Sequence, residues 1–351
     1  MSYTRRENRS SMDLSIVIPM FNEAENAEVT LRKVEEALAS FPGTYEIIPV
    51  NDGSLDGTLE ILNKVAARDS KIKVASYPRN IGRGRALRTG FKESSGNLVV
   101  SIDADLSFAP SHILDVINVL RNEPDIDFVL GSPYVPGGKM VNVPFIRLWI
   151  SKLGNVVLRH IMPVRYSTGV FRGYRRKVLD SLELESDDKE IHLEILSKAL
   201  AVGYRVKEIP ATLTGRERGK SKFKFKKTAL SHLAFSAFEK PMIVFGFIGL
   251  IILLIGFLTG LYLTYLRFVG ELTASRPLIT LALLLILGGI QMLSFGFIAI
   301  QIVSLRRELF HVQKENKELE KEIKRLSFKE KTVMQDEAAK RDTMVQANPL
   351  Q

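Results

Sequence analysis

The chain has 351 residues, no cysteine and a formal net charge of +10 at pH 7. Its length allows about two domains with an apolar core of ordinary size, and the lack of cysteine excludes disulfides and thiolate metal sites. The positive charge is compatible with either nucleic acid or an anionic membrane surface as a partner, so the distribution of apolar residues must decide between them.

The first part of the sequence alternates strand-like and helix-like segments after a polar stretch, 1–12, that is expected to be disordered. Strands are predicted at 14–19, 45–50, 72–77 and 98–102. Helices are predicted at 22–40, 57–68 and 110–121, with a further helix that opens at 80–85 and ends at 94. This alternation predicts a doubly wound, mostly parallel α/β sheet of the Rossmann type.

The pattern becomes less regular after the fourth strand. Further strands are predicted at 128–130, 170–174 and 204–213, and further helices at 145–159 and 190–202. The segment 223–240 combines a lysine cluster with apolar residues at helical spacing. This combination predicts an amphipathic helix beside a membrane surface.

Two long segments, 241–266 and 277–305, contain no charged residue. At about 1.5 Å per residue, each exceeds the roughly 30 Å hydrocarbon core of a bilayer, so both are predicted to be transmembrane helices. A short loop joins them, and Lys and Arg are abundant on their outer flanks. The sequence therefore predicts a membrane hairpin with the first domain and both termini in the cytoplasm. A membrane then accounts for the charge, and nucleic acid is not expected as a partner.

The segment 306–328 is predicted to form a coiled-coil-like helix, followed by a disordered tail, 329–351. Such an apolar seam predicts a homo-oligomer, while a single solvated amphipathic helix is the alternative. The seam residues recur every seven positions at Leu305, Val312, Leu319 and Leu326, and at Leu309, Asn316 and Ile323.

Acidic and turn residues follow three of the predicted strands, at 19–23, at 51–57 and at Asp103 and Asp105. The carboxyl ends of parallel strands meet at one edge of a sheet, which predicts a single ligand crevice. Alternation places residues i and i+2 on the same side of an extended chain, so Asp103 and Asp105 can share a divalent cation, Mg²⁺ or Mn²⁺. That cation can in turn hold the diphosphate of a nucleotide.

These strand ends resemble the inverting family 2 glycosyltransferases of GT-A fold, and among them the polyprenyl-phosphate hexose synthases of the dolichyl-phosphate mannose synthase type. Further matches are Gly131-Ser132, Thr168-x-x-Phe171-Arg172 and Arg216-x-x-Gly219-x-Ser221-Lys222. The resemblance covers about 13–222 and implies a GT-A domain. It implies transfer of a hexose from a nucleotide sugar, of the GDP-mannose or UDP-glucose type, to the phosphate of a polyprenyl or dolichyl phosphate lipid.

The resemblance also implies roles for individual residues. The nucleotide sugar would be held by Pro19, Phe21, Glu23, Asp52 and Asp103, with Asp52 accepting from a ring nitrogen of the base. Asp103 and Asp105 would bind the metal and, together with Arg216, would be catalytic. The acceptor phosphate would be bound by Arg147, Ser151, Arg216 and Lys222, in keeping with the fit between guanidinium groups and phosphate oxygens.

Two other functions remain open. A processive polysaccharide synthase would resemble the same first half, but it would call for a Gln-x-x-Arg-Trp segment before the membrane, and the only tryptophan, Trp149, lacks that context. A catalytically silent membrane scaffold could oligomerise through the C-terminal helix, although intact Asp52, Asp103 and Asp105 argue against it. The sequence does not distinguish the sugar, the base or the polyprenyl chain.

Overall fold

The computed structural model describes residues 12–142, 164, 169–215, 245–270 and 276–346. The predicted disordered segment 1–12 lies almost wholly outside the described residues, as do the predicted helix 145–159 and the predicted amphipathic helix 223–240. The helices are α1 Ala24–Leu38, α2 Thr58–Ala66, α3 Arg83–Glu93, α4 His112–Asn122, α5 Arg176–Ser181, α6 Ile191–Ala201, α7 Phe247–Val269 and α8 Arg276–Gln346. The strands are β1 Leu14–Met20, β2 Tyr45–Asp52, β3 Ala75–Tyr77, β4 Leu98–Ser101, β5 Phe128–Ser132, β6 Lys139–Val141, β7 Arg172–Arg175, β8 Val206–Pro210 and β9 Thr212–Thr214.

A seven-stranded sheet with the order β3-β2-β1-β4-β7-β5-β8 forms the centre of the first domain. Strand β1 pairs in parallel with both β2 and β4, so the ends of these three strands lie at one edge. Strand β7 runs antiparallel between β4 and β5. The predicted fold class, a mostly parallel α/β sheet, is confirmed.

Apolar side chains cover both faces of this sheet because alternate residues of a strand point to opposite sides. Leu14, Ile16 and Ile18 pack on one side with α1 and α4, whereas Val17 packs on the other side with α3, α5 and α6. These strand residues are fully buried. Helices on both faces of the sheet produce the doubly wound arrangement.

The predicted late strand 204–213 is two strands that belong to different sheets. Strand β8 pairs with β5 in the central sheet, and after Ala211 the strand β9 pairs with β6 in a separate two-stranded sheet. Pro210, which has no amide hydrogen to donate, stands at the break. The second sheet brings Thr214 next to the loop that follows β4, because the Thr214 amide donates to the Ser107 carbonyl at 2.8 Å.

The two apolar helices, α7 and the first part of α8, pack against each other in antiparallel orientation. The segments Phe247–Val269 and Pro277–Lys317 are long and apolar enough to cross a membrane, and only 17% and 11% of the most apolar 18-residue stretch of each is buried inside the protein. This exposure excludes the two core helices of a soluble domain. Glycines allow close approach, because a Cβ on Gly289 would lie 2.7 Å from the Leu253 backbone nitrogen.

Helix α8 corrects the predicted disordered tail, 329–351. A single helix continues from Arg276 to Gln346, so it contains the predicted transmembrane and coiled-coil segments and extends through most of that tail. The sequence has no Gly or Pro between Gly296 and Pro349, and it is rich in Lys, Glu, Ala and Gln. These residues have high helix propensity, so a polar composition alone did not distinguish a disordered tail from a solvated helix.

Candidate active site

The loops after β1 and β2 hold each other at the carboxyl edge of the sheet. The Asn22 amide donates to Ser54 Oγ at 2.9 Å, and Asn22 Oδ1 accepts from the Leu55 amide at 2.8 Å. The Glu23 amide donates to Thr58 Oγ1 at 2.9 Å. Asn22 has a φ of 51°, a left-handed conformation that Asn tolerates better than most residues. Side chains therefore fix the positions of these two loops relative to each other, and the ligand crevice at this edge stays a prediction.

The predicted nucleotide-binding residues Pro19, Phe21 and Glu23 lie at the end of β1 and in the loop that follows it. Pro19 and Phe21 are half-buried, whereas Glu23 is almost buried and its Oε2 accepts from Asn26 Nδ2 at 2.6 Å. Glu23 is thus held by the first turn of α1. The half-buried ring of Phe21 and the Pro19 ring offer an apolar surface of the kind on which a planar base can stack.

Asp52 has a different environment from the one that the resemblance implies. Its buried carboxylate accepts hydrogen bonds from Tyr77 Oη at 2.7 Å, from Asn80 Nδ2 at 2.8 Å, and from the amides of Ile81 and Gly82 at 2.9 and 3.1 Å. Burial, together with this carboxylate, raises the pKa of Tyr77, which keeps the phenol protonated as a donor. In this structure Asp52 holds the chain that leads into α3, and a base donor would have to share its oxygens.

Asp103 lies opposite the start of α3. Its Oδ1 is 3.4 Å from Arg83 Nη2, and its side chain is 17% exposed. Arg83 is the first residue of α3, so the guanidinium beside this carboxylate comes from the start of that helix. Arg83 was not among the predicted site residues. The signal was present in the segment Gly82-Arg83-Gly84, whose glycines let the helix start approach other backbone closely.

Asp105 belongs to a tight turn that is fixed from two sides. Its Oδ1 accepts from the Ser107 amide at 3.0 Å and from the Ser107 hydroxyl. Leu106 between them has a φ of 52°, which is unfavourable for a branched apolar residue and indicates that the surroundings impose this turn. The Ala104 carbonyl accepts from Thr30 Oγ1 at 2.6 Å, which ties the loop to α1. Both carboxylates are consequently held at the same edge of the sheet as the loops after β1 and β2.

Asp103 and Asp105 fit a divalent cation that is shared with a phosphate ligand. Both side chains are partly exposed and offer hard oxygen donors. Among the described residues there is no group of three or more His, Cys, Asp or Glu side chains that could hold a metal by themselves. Mg²⁺ is commonly bound by one or two carboxylates plus substrate phosphates and water, so two carboxylates are sufficient for such a site.

The predicted acceptor-binding residues Arg147, Ser151, Arg216 and Lys222 lie outside the described residues. The structure does describe the chain that precedes them, up to residue 142 before Arg147 and up to residue 215 before Arg216. The Gly215 amide donates to the Val141 carbonyl at 2.8 Å, and Thr214 is bonded to the loop of Asp105 through Ser107. Both segments that carry these residues therefore start close to the predicted metal-binding carboxylates.

The motif residue Arg172 lies inside the domain and binds backbone carbonyls. It is fully buried, with Nε donating to the Gly169 carbonyl at 2.6 Å and Nη1 donating to the His192 carbonyl at 2.7 Å. Burial, reinforced by Arg172 and Arg83, lowers the pKa of His192, so its imidazole is neutral. Glu194 accepts from Lys198 Nζ and from the amides of Glu185 and Ser186. Arg172 thus links β7 to α6, and Glu194 holds the segment that precedes α6.

Comparison with known proteins gives the family. Residues 15–183 match the family described as "Glycosyl transferase family 2". The chain is 36% identical over 219 residues to a dolichol-phosphate mannosyltransferase of Pyrococcus furiosus, covering 61% of this chain and 60% of that protein. It is 32% identical over 216 residues to a polyprenol monophosphomannose synthase of Mycolicibacterium smegmatis, covering 59% of this chain and 79% of that protein.

The crystal structure of a mycobacterial protein superposes with a TM-score of 0.50 at 16% identity, covering 67% of this chain and 76% of that one, and it shows a shared fold only. The chain spans less than two thirds of the length of the Pyrococcus relative, and more than two thirds of the Mycolicibacterium relative. The aligned part contains the three strand-end loops and the carboxylates Asp103 and Asp105. This chain belongs to glycosyl transferase family 2.

Proposed function

We propose that this protein is a membrane-anchored inverting glycosyltransferase that moves a hexose from a nucleotide sugar to the phosphate of a polyprenyl phosphate lipid. The observation that carries the proposal is the bond between Thr214 and Ser107, because it joins the two-carboxylate loop to the strand from which the chain continues to the membrane helices. Relatives named "Dolichol-phosphate mannosyltransferase" and "Polyprenol monophosphomannose synthase" support a polyprenyl phosphate acceptor and a hexose such as mannose.

The donor binds across the sheet edge. Pro19 and Phe21 stack against the base, Glu23 and Asp52 bind polar groups of the base and ribose, and Asp103 binds the ribose side. A divalent cation bound by Asp103 and Asp105 would supply positive charge to the departing diphosphate. Arg83, 3.4 Å from Asp103, is placed to contact the same diphosphate oxygens and limits how far Asp103 can turn away.

The acceptor is a phosphate monoester at the membrane surface. Arg147, Ser151, Arg216 and Lys222 bind its oxygens, since guanidinium, hydroxyl and ammonium donors match an anionic head group that cannot leave the bilayer surface. The proposal is supported by the described chain ends at Val141 and Gly215, which lie side by side close to the carboxylate loop.

In the reaction, an acceptor phosphate oxygen forms a bond to the anomeric carbon on the face opposite the diphosphate. The bond from that carbon to the diphosphate oxygen breaks, its electron pair leaves with the nucleoside diphosphate, and the anomeric configuration inverts. A phosphate monoester has a second pKa of about 6, so the attacking oxygen is already ionised near neutral pH. Catalysis therefore depends on positioning and on charge stabilisation by Arg83 and Arg216, to which a cation held by Asp103 and Asp105 would add, and it needs no strong general base.

The enzyme acts at the cytoplasmic face of a membrane. Lys240 precedes the first apolar helix, and Arg306 and Arg307 follow the second, in agreement with the enrichment of positive residues on that side. Cysteine scanning can test this orientation, because the chain has no native cysteine. A cysteine at exposed Lys177 should react with an impermeant maleimide in inverted vesicles and not in intact cells.

The experiment that tests the function is a donor screen. Membranes that contain the protein are incubated with a panel of radiolabelled nucleotide sugars, and lipid extracts are counted before and after mild acid. One donor should label a lipid from which acid releases the sugar, as expected for a glycosyl phosphate. Label in an acid-stable polymer would favour a polysaccharide synthase, and no label with any donor would contradict the proposal.

A further inference from the structure

One face of α8 beyond the apolar segment contacts the first domain. Phe310 packs against the core cluster that covers the α3, α5 and α6 side of the sheet. Lys198 Nζ lies 5.1 Å from the centre of the Phe310 ring, in a cation–π contact. Lys198 is only 8% exposed, and its Nζ lies 2.7 Å from Glu194 Oε1. Phe310 therefore contacts an ammonium group that the domain itself holds in place.

Two lysines continue the same contact along the helix. Lys314 Nζ lies 4.9 Å from the ring centre of Tyr204. Lys317 Nζ donates to the Leu182 carbonyl at 3.0 Å and lies 3.7 Å from the Glu183 carboxylate. Positions 310, 314 and 317 are spaced four and three residues apart, so they share one face of the helix. This docked face is defined by Phe310, Lys314 and Lys317.

The docked face is distinct from the heptad seam. Leu309, Leu319 and Ile323 are 53%, 56% and 64% exposed, so the seam does not contribute to the contact with the domain. At 100° per residue, the docked face and the seam point in clearly different directions around the helix. The contact is therefore specific to one side of α8.

The contact lies close to the membrane end of the helix and is connected to the active site. Phe310 is four residues, about 6 Å of helix, beyond Arg306. On the domain, Leu182 and Glu183 begin the segment 182–190, whose Asp187 carbonyl accepts from the Arg85 amide at 3.1 Å in the first turn of α3. The same segment thus contacts α8 at one end and the helix start that carries Arg83 at the other.

We propose that segment 310–317 of α8 is an intramolecular strut that fixes the orientation of the catalytic domain relative to the second membrane helix. Because α8 is continuous from the membrane segment to the docked face, no flexible linker intervenes on this side. The strut holds the site at the height and angle at which a membrane-embedded phosphate can reach it. This consequence for catalysis rests on the proposed function, whereas the docking itself does not.

Crosslinking tests the docking. The chain has no native cysteine, so the double variant Glu183→Cys with Lys317→Cys offers two unambiguous positions for a short bifunctional maleimide. In membranes it should give an intramolecular crosslink, and Glu183→Cys with Leu319→Cys, on the exposed face, is the matched control. Crosslinks only between chains, or equal intramolecular yields for both pairs, would overturn the strut.

Activity tests the consequence. Lys317→Glu places a second negative charge beside Glu183, and the double variant Lys317→Glu with Glu183→Lys restores an ion pair with the charges exchanged. Phe310→Ala is a second single variant, which removes a contact of the docked face without changing charge. The single variants should slow transfer to a long polyprenyl phosphate in vesicles by about tenfold, with an unchanged KM for the nucleotide sugar, and the swapped pair should recover it. Transfer to a short, water-soluble prenyl phosphate should not change.

The two acceptors separate the two hypotheses. If the wild-type protein transfers sugar to neither acceptor, the proposed function fails while the crosslinking result still decides the docking. If the wild-type protein uses both and the variants retain full transfer in vesicles, the strut is overturned. An equal loss with both acceptors would also overturn it, because positioning relative to the membrane would then not be the role of the contact.

Discussion

Charges of both signs lie where a diphosphate is expected to leave. They are the carboxylates of Asp103 and Asp105 and the guanidinium of Arg83. A carboxylate pair alone would repel a phosphate, so under the proposed function the guanidinium 3.4 Å from Asp103 and a cation held by the carboxylates would offset that repulsion. The sequence predicted the carboxylates because two acidic residues end an apolar strand. The contact of Arg83 with Asp103 was not predicted, because it depends on where α3 starts relative to β4.

The substitution Asp105→Asn tests the carboxylate pair. A neutral amide is a poorer ligand for a hard cation, so we expect sugar transfer to fall by about a hundredfold or more while thermal unfolding is unchanged. Asp125→Asn, at a side chain that is 81% exposed, is the matched control and should keep full activity. EDTA should inhibit the wild-type protein to a similar extent. Undiminished transfer by Asp105→Asn, or by the wild-type protein in EDTA, would contradict the prediction that Asp103 and Asp105 bind a metal.

A pair of carboxyl groups away from the site predicts a dependence of stability on pH. Burial, followed by a hydrogen bond and repulsion from Asp69, raises the pKa of Glu35 to about 7. Between pH 4.5 and 7 the folded state then binds more protons at Glu35 than the unfolded state, so this contribution to stability is full at low pH and is lost as pH rises through 7.

Glu35→Gln should remove this titration, since an amide can donate to Asp69 at every pH. We expect the variant to be more stable than the wild type at pH 8, by about 1 kcal/mol or less because the pair is near the surface, and equally stable near pH 4.5. Thermal unfolding of the full-length protein in detergent at both pH values measures the difference. Identical pH slopes for the two proteins would show that Glu35 does not titrate near 7.

The elements predicted best were those specified by local patterns. Strands β1 and β2 have apolar residues on both faces, and α1 has a regular apolar spacing, so their positions followed from the sequence. The antiparallel insertion of β7 and the separation of β8 from β9 depend on distant partners, which periodicity does not report. The hydrogen bonds that Asp52 accepts from residues 77–82 likewise depend on chain that is distant in sequence, while its contact with a base stays a prediction.

The start of α3 depends on close packing against the segment 186–188. A Cβ on Gly84 would lie 2.3 Å from the Ser186 carbonyl oxygen and 2.7 Å from that of Asp188, and both are backbone atoms. Gly84→Ala should therefore displace the first turn of α3, lower the free energy of unfolding by about 1–3 kcal/mol and weaken nucleotide binding.

Gly57→Ala is the control, because a Cβ there would meet nothing within 4 Å. The free energy of unfolding in denaturant and the calorimetric affinity for GDP and for UDP would be measured for both variants. If Gly84→Ala bound nucleotide as tightly as Gly57→Ala, the start of α3 would not contribute to the donor site.

In the molecule as a whole, α8 has two distinct faces on one continuous helix. The docked face contacts the catalytic domain, and the seam face leaves Leu309, Leu319 and Ile323 exposed. An exposed apolar seam gains stability by packing on another helix, so a homo-oligomer through this seam stays a prediction. Asn316 within the seam would favour a single register.

Leu319→Lys with Ile323→Lys should shift the protein in mild detergent towards the mass of a monomer, because charged side chains cannot be buried in the seam without a large cost. Both positions lie away from the docked face, so transfer to lipid should be kept. Mass photometry or light scattering would report the change, with Glu322→Lys on the same helix as the control. Equal masses for all three proteins would exclude the seam as the oligomer contact.

Direct comparison of two acceptors tests whether a lipid phosphate is the nucleophile. Purified full-length protein in lipid nanodiscs is given one nucleotide sugar and either a polyprenyl phosphate or the matching polyprenol, and the products are identified by mass spectrometry. We predict a hexosyl polyprenyl phosphate of inverted anomeric configuration, formed in equal amount with the nucleoside diphosphate, and no product from the polyprenol. Equal glycosylation of the polyprenol, or release of nucleoside diphosphate without a lipid product, would contradict the proposed function.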